Sequence, residues 1–242
     1  MERSKWNKIV DVLGKLERGA EVGGPTPLFM DGEPFPLYSY IKNLDAMNMF
    51  EDNIWQKDFG DYYIPQDTVM GEQFNLDICD EKILSAHPKR YDFVVMSHVI
   101  EHIANPILAI FLMKKYILKS NSYFLFIIPD KKEMFDRKRK TTTVEHLIED
   151  YVLGVDEHDK THTKESLDLM DYSRRNLVFA KDINRRYDID NYKARIIHHH
   201  TFSGQLVSEF CEYCGLTIVS QFQEGMHIVV LGRGNEINST QG

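Results

Sequence analysis

Nowhere in its 242 residues does the chain carry an apolar run near the roughly 20 residues that a membrane-spanning helix needs. A signal-peptide core is missing as well, because residues 1–15 mix charges with spaced hydrophobics. The chain therefore reads as cytoplasmic, with no membrane span. Cysteine is scarce: Cys79, Cys211 and Cys214 are an odd set, which argues against a disulfide framework and suits a reducing compartment. A basic surplus is lacking too. With 29 Lys and Arg against 37 Asp and Glu the net charge is −8, so general binding to nucleic acid or anionic lipid, which needs excess cations to displace counterions, is not expected. What remains is a globular composition, 43% hydrophobic and 12% aromatic, in a chain long enough for one α/β domain with an insertion.

Trp6, Ile9, Val10, Leu13 and Leu16 recur at helical spacing, so residues 3–18 read as an amphipathic helix acting as a lid or brace. Two Gly/Pro-rich loops follow, at 19–27 and 31–36. Residues 38–44 suggest a strand ending in Asp45, and 74–78 a short strand ending near Asp77. Tyr91-Asp92-Phe93-Val94-Val95-Met96 is a nearly continuous apolar run of the kind buried on both faces of a parallel sheet. A helix with apolar residues from Ile107 to Leu118 comes next, then a strand at 123–128, making one β-α-β unit. Residues 130–202 turn polar and rich in His, with a helical stretch near 144–152. Ser203 then caps a helix that Gly215 stops, and strands at 216–222 and 226–231 face each other across Gln223-Glu224-Gly225.

The block from Tyr91 through Ser97-His98-Val99-Ile100-Glu101-His102-Ile103-Ala104-Asn105-Pro106, continued by Leu118-Lys119 and the apolar strand ending at Pro129, resembles the fourth-strand region of class I S-adenosylmethionine-dependent methyltransferases. The resemblance covers about 21–130 and 203–232. It implies a Rossmann-like α/β fold: a mostly parallel seven-stranded sheet with a C-terminal antiparallel hairpin strand and a polar, partly helical insertion after strand five. One domain over 1–242 would comprise an N-terminal helix (1–18), a cofactor-binding half (19–129), an insertion or substrate cap (130–202) and a final helix and hairpin (203–232). By the same resemblance Glu21, Gly23, Gly24, Pro25 and Thr26 form the loop that meets the methionine end of S-adenosylmethionine, small residues admitting backbone N–H groups to an anion. Asp45 would accept the ribose hydroxyls. Asp77 and Ile78 would meet the adenine, and Ser97 and His98 would close the cofactor mouth. The loop departs from the family in being Gly-Gly-Pro-Thr rather than alternating glycines.

Several motifs admit a second reading. His98-Val99-Ile100-Glu101-His102 also spells the H-x-x-E-H of inverted zinc peptidases, but a peptidase explains neither the preceding strand nor the closing hairpin, and no metal is assigned. Cys211-Glu212-Tyr213-Cys214 has no second pair to complete a zinc site and reads as core packing. Lys131-Lys132 and Arg137-Lys138-Arg139-Lys140 are either a solvated helix entry or, at the end of a parallel strand, a receiver for phosphate or a nucleotide-sugar. His158, His162 and His198-His199-His200 are either surface polarity or parts of a metal site. The insertion, with Phe135-Asp136-Arg137, Thr141-Thr142-Thr143, Glu145-His146-Leu147, Asp150 and His-His-His-Thr-Phe, looks like one found in methyltransferases of bacterial surface-polysaccharide assembly.

The resemblance thus implies methyl transfer to a small or glycan-precursor acceptor, at a hydroxyl or phosphate-type oxygen. The acceptor site is expected to draw on Asp130, Lys132, Arg137, Arg139, His146 and His162. His199, His200 and His98 are the candidates for general base, since imidazole titrates near neutral pH. A cofactor-binding module without turnover is the alternative from another class.

Overall fold

The computed structural model describes residues 3–49, 60–87, 90–171, 173 and 191–235. Its strands are β1 (Gly19–Val22), β2 (Leu44–Asn48), β3 (Tyr62–Tyr63), β4 (Gly71–Asn75), β5 (Tyr91–Ser97), β6 (Leu118–Pro129), β7 (Leu216–Glu224) and β8 (His227–Gly234). They form one sheet in the order β3-β4-β2-β1-β5-β6-β8-β7. β4, β2, β1, β5 and β6 run parallel, while β8 runs antiparallel to both β6 and β7. This is the expected mostly parallel α/β sheet with a C-terminal hairpin. It has eight strands rather than seven, because β3 adds an antiparallel edge beside β4.

The alternation of side chains along the strands divides the core in two. On one face Ala20, Val22, Val94, Met96, Phe124, Phe126 and Val230 pack under the helices α2 (Glu81–Ser85), α3 (Pro106–Tyr116), α4 (Val144–Leu153) and α6 (Gly204–Tyr213). On the other, Phe93, Val95, Leu125, Ile127 and Leu231 pack against α1 (Arg3–Leu13) and the segment that carries Phe29, Phe35 and Tyr38. The apolar run at 91–96 is buried on both faces, as its composition requires. α1 is a brace: Trp6, Ile9, Val10 and Leu13 are buried. It stops at Leu13, earlier than its periodicity predicts, because Gly14 lies against the chain at Tyr40, where a Cβ would stand 2.9 Å from the Tyr40 carbonyl oxygen.

Local signals set the remaining boundaries. Asn105 caps α3 by accepting from the Leu108 N–H at 3.0 Å, with Pro106 in the first turn. Ser203 caps α6, accepting from the Leu206 N–H at 3.3 Å, and Gly215 follows it at φ 66°. α4 runs from the cap Thr143 to the left-handed Gly154, matching the helical stretch expected in the insertion. Beyond it lie α5 (Thr161–Asp168) and a short helical turn, Asn191–Ala194. Residues 174–190 of the insertion lie outside the described residues.

Two strand assignments are corrected, the first being the strand expected at 74–78, which covers Gly71–Asn75 as β4 and so ends before Asp77. Residues 38–40 form a 3-10 turn, and β2 begins at Leu44, so Asp45 stands near the start of that strand rather than at its end.

Candidate functional site

β1 lies between β2 and β5, the place where the strand order reverses, and in open α/β sheets ligands bind outside the carboxyl ends of strands at such a point. Three strand ends meet there: Val22, Asn48 and Ser97. Gly23 leaves β1 at φ 76°, and a Cβ on it would lie 2.6 Å from Val99 Cγ2, so only glycine lets the loop run this close to the β5 turn. The Gly23 N–H donates to the Met47 carbonyl at 3.2 Å, and Asn48 Nδ2 donates to the Gly24 carbonyl at 2.8 Å. Pro25 and Thr26 continue the loop into a 3-10 turn. Asn48 Oδ1 and Ser97 Oγ are buried at this edge and have no hydrogen-bond partner among the described residues.

Glu21 is fully buried, but it faces inward. Tyr63 donates to it at 2.6 Å, Tyr38 at 3.0 Å and the Thr26 N–H at 3.1 Å. Burial raises its pKa to about 7 in spite of these donors. Its oxygens are thereby committed to shaping the loop, in contrast to the expected contact with the methionine end of a cofactor.

Past the end of β5 the chain turns sharply at His98, φ 53°. His98 Nε2 is 3.0 Å from His227 Nδ1, and its Nδ1 is 3.6 Å from Glu101 Oε1. Burial, then His227 and His198, push the His98 pKa down to about 3, so the ring is neutral at pH 7. Glu101 is 1% exposed, and burial raises its carboxyl to about 7; neither oxygen has a hydrogen-bond partner in another described residue. The turn at 100–102 is 3-10 rather than α, and the positive φ at His98 keeps it off any helical face shared with His102. The zinc-peptidase arrangement is not formed.

Two further carboxylates are placed differently from expectation. Asp45, at the amino end of the sheet, bonds to Arg18 at 3.2 Å, Arg90 at 3.1 Å and Tyr91 at 2.9 Å. It ties strands together on the side opposite the switch point and cannot meet a ribose there. Asp77 accepts from the Cys79 N–H at 2.8 Å and from Arg195 at 2.5 Å, and Arg195 also reaches Glu157 at 3.0 Å. Ile78 beside it is buried. A cleft of about 660 Å³ opens here, lined by Asp77, Asn105, Glu157, Tyr192 and Arg195 among others, and its lining does not include the glycine loop or Ser97.

In the cap most of the histidines that the sequence left open between surface polarity and a metal site turn inward. His198, His199 and His200 are 5%, 0% and 0% exposed. The His198 ring is bonded to Asp136, which raises its pKa against the burial that would lower it. His199 Nε2 contacts Glu157 and Asn191, each at 3.0 Å. His200 Nε2 donates to the Ala104 carbonyl at 3.0 Å. Such burial leaves neither His199 nor His200 open to an acceptor as a general base. Arg139 is also inward, donating to the carbonyls of His198 at 2.7 Å and His199 at 2.9 Å and pairing with Asp136, so it cannot receive an external phosphate. Arg137 and Lys132 are exposed, Arg137 pairing with Asp171, while Asp130 is buried and caps the turn at 131–133. His146 and His162 face each other, Nε2 to Nε2, at 2.8 Å. Cys211 and Cys214 are buried free thiols that belong to the core.

The polar groups that sequence reasoning missed are Asn48 and, in the cap, Glu157, Asn191 and Arg195. Asn48 was within reach: Leu44, Ala46 and Met47 make a short, mostly apolar run that ends on it.

No protein family and no curated protein matches the chain by sequence. Solved structures that it resembles include a SAM-dependent methyltransferase from Aquifex aeolicus (11% identity, 94% of this chain and 88% of that chain covered, TM-score 0.48). An O-methyltransferase family protein from Burkholderia thailandensis (9% identity, 95% and 56%, TM-score 0.46) is another. Human N-acetylserotonin methyltransferase, in complex with SAM, is a third (10% identity, 96% and 51%, TM-score 0.47). The chain spans little more than half the length of the latter two. At such identities and TM-scores the likeness does not extend to side chains. Among the described residues no helix is long and apolar enough to cross a membrane.

Proposed function

We propose that the chain transfers a methyl group from S-adenosylmethionine to an oxygen of a small or glycan-precursor acceptor. The observation that carries this reading is the pair of buried, unpartnered polar atoms, Asn48 Oδ1 and Ser97 Oγ, flanking a glycine loop at the carboxyl end of β1. Buried polar atoms without partners are uncommon in native structures, and two at the switch point of a sheet fit a polar ligand seated there. Gly23 and Gly24 would bring bare main chain against it, with Pro25 and Thr26 shaping the exit. Ser97 and Asn48 would hydrogen-bond it, and Asp77 and Ile78 would lie toward its base once Arg195 releases the Asp77 carboxylate.

When bound, S-adenosylmethionine supplies an electrophilic methyl carbon on a sulfonium. The chain's share is alignment, exclusion of water and removal of the acceptor's proton. His98 is the candidate for the last task by position, at the mouth of β5 with Glu101 3.6 Å from its Nδ1; with its pKa held down to about 3 and its Nε2 on His227, it would gain basicity only as the acceptor displaces His227 and Glu101 ionises to stabilise positive charge on the ring. The exposed Lys132 and, on leaving Asp171, Arg137, both following β6, would meet a phosphorylated acceptor. A role in surface-polysaccharide or capsule assembly extends the same reading to one class of acceptor and is supported by the insertion's sequence alone.

Thermal unfolding with saturating S-adenosylmethionine and S-adenosylhomocysteine tests the cofactor. Both should raise Tm, since a ligand bound only by the native state stabilises it. No shift with either would sink the reading. A shift without turnover across sugars, nucleotide-sugars and phosphorylated small molecules would favour a binding module instead.

A further inference from the structure

We infer that the cap holds a divalent transition-metal ion of the zinc type, bound by His146, Asp150, His162 and His200. One ligand atom from each of these four lies within 4.8 Å of every other, and three of the four residues are buried. They come from three separate pieces of chain. His146 and Asp150 stand one turn apart on α4, His162 is in the first turn of α5, and His200 is in the segment that leads into α6. Nothing but the fold brings them together.

The hydrogen-bond pattern is the one a cation site needs. Asp159 accepts from His162 Nδ1 at 2.8 Å, which leaves a lone pair on Nε2 facing the cluster. The Ala104 carbonyl accepts from His200 Nε2, which also lies 3.8 Å from Asp150 Oδ2, and His200 Nδ1 is buried with a lone pair and no hydrogen-bond partner among the described residues, so the ring would bind through Nδ1 after a small turn or through Nε2 on release from Ala104. Asp150 Oδ2 is likewise buried without a hydrogen-bond partner, at 3.4 Å from His146 Nε2 and 3.8 Å from His200 Nε2. Lone pairs and a carboxylate gathered in a buried space, with one proton shared between His146 and His162, are a half-satisfied network, which is costly in a low-dielectric interior. A divalent ion would satisfy them together. Imidazoles whose far nitrogens are anchored by a carboxylate or a carbonyl are also the usual second layer of a metal site.

Three imidazoles and one carboxylate suit zinc or its borderline-soft neighbours rather than calcium or magnesium, which take oxygen ligands. A tetrahedral shell with bonds near 2.0–2.1 Å sets neighbouring ligand atoms about 3.3 Å apart. The His146–His162 pair at 2.8 Å would therefore open slightly and the wider pairs would close. Four protein ligands fill such a shell, so the ion would be structural, pinning α4 and α5 to the segment that carries His198 to His200. Of the neighbouring groupings, Glu101, His102 and His198 lose His198 to Asp136, and Asp159, His162 and His199 share His162 with the proposed site.

The test uses the full chain without an affinity tag, stripped with a strong chelator and then titrated with Zn²⁺ alone and with Co²⁺ alone. One equivalent of Zn²⁺ should bind and raise Tm, and Co²⁺ should give the intense visible band of a tetrahedral ion. Asp150→Asn and His162→Ala, each checked for folding by far-UV circular dichroism, should lose the Co²⁺ band and lower zinc affinity at least tenfold, whereas His87→Ala should change neither. A stripped wild-type chain that takes up no ion, or uptake that both folded variants retain unchanged, would overturn the proposal.

Discussion

The sheet half and the cap are built by different forces. In the sheet half two extensive apolar clusters cover both faces, and no single contact decides the structure. Among the described residues the cap has one small apolar cluster of its own, Leu167, Met170 and Ile197 with Phe135 and Ile196 against it, while Leu147 of α4 joins the core of the sheet. Around that cluster Asp136, Arg139, Asp150, Glu157, His162 and His198 to His200 are buried. Burial of apolar surface is non-directional and tolerates small errors, whereas buried charges and imidazoles hold only while each partner is present. The difference teaches that the cap should fail locally and abruptly where the sheet fails gradually and as a whole.

Arg139→Ala should break this contrast most sharply. It leaves two buried carbonyls without their donor and Asp136 with His198 as its remaining partner, a loss of about 3–5 kcal/mol for a broken buried pair. Hydrogen exchange should show lost protection over α4 and α5 with the sheet's amides unaffected; loss spread evenly over both halves would refute the division. Next in size is Glu21, in the sheet half. Its folded pKa of about 7 stands above the ordinary 4.5, so the native state holds its proton more tightly than the unfolded chain. The stability from this group is therefore complete below pH 4.5 and is lost as pH rises to about 7, a change of about 3 kcal/mol for this shift. Glu21→Gln mimics the protonated acid, and chemical unfolding between pH 5 and 8 should show a flatter profile than wild type; an unchanged slope would refute the assignment.

Gly23→Ala follows. A side chain at φ 76° facing Val99 should cost about 1–3 kcal/mol and should abolish the Tm shift with S-adenosylmethionine, which differential scanning calorimetry reads directly. The smallest effect belongs to Ser97→Ala. Removing an unpartnered Oγ should leave stability within about 0.5 kcal/mol while weakening cofactor binding about tenfold, the value of one hydrogen bond. A titration calorimetry result with unchanged affinity would detach Ser97 from the site.

Much of the sheet half was legible in the sequence because its signals are local. The unbroken apolar run at 91–96 announces a doubly buried strand, Asn105-Pro106 announces a helix start, and Ser203 with Gly215 frames the last helix. β2 was misplaced by several residues because Tyr38-Ser39-Tyr40 has strand-like composition but is drawn into a 3-10 turn by the Tyr38–Glu21 hydrogen bond, a contact across 17 positions. That error carried Asp45 to the wrong end of the sheet. Glu21 was found as a residue but not in its role, since the tyrosines that seal it arrive from positions 38 and 63.

The sequence by itself determined the α/β class, the parallel core with its closing hairpin and the glycine turn after β1, because hydrophobic period and turn chemistry act over a few neighbouring residues. Only the tertiary structure decided that the histidines at 198–200 are buried, that Arg139 points inward and that His146, Asp150, His162 and His200 converge. Those outcomes depend on which distant segments meet, and no local spacing encodes a meeting between residues up to 54 positions apart, as His146 and His200 are.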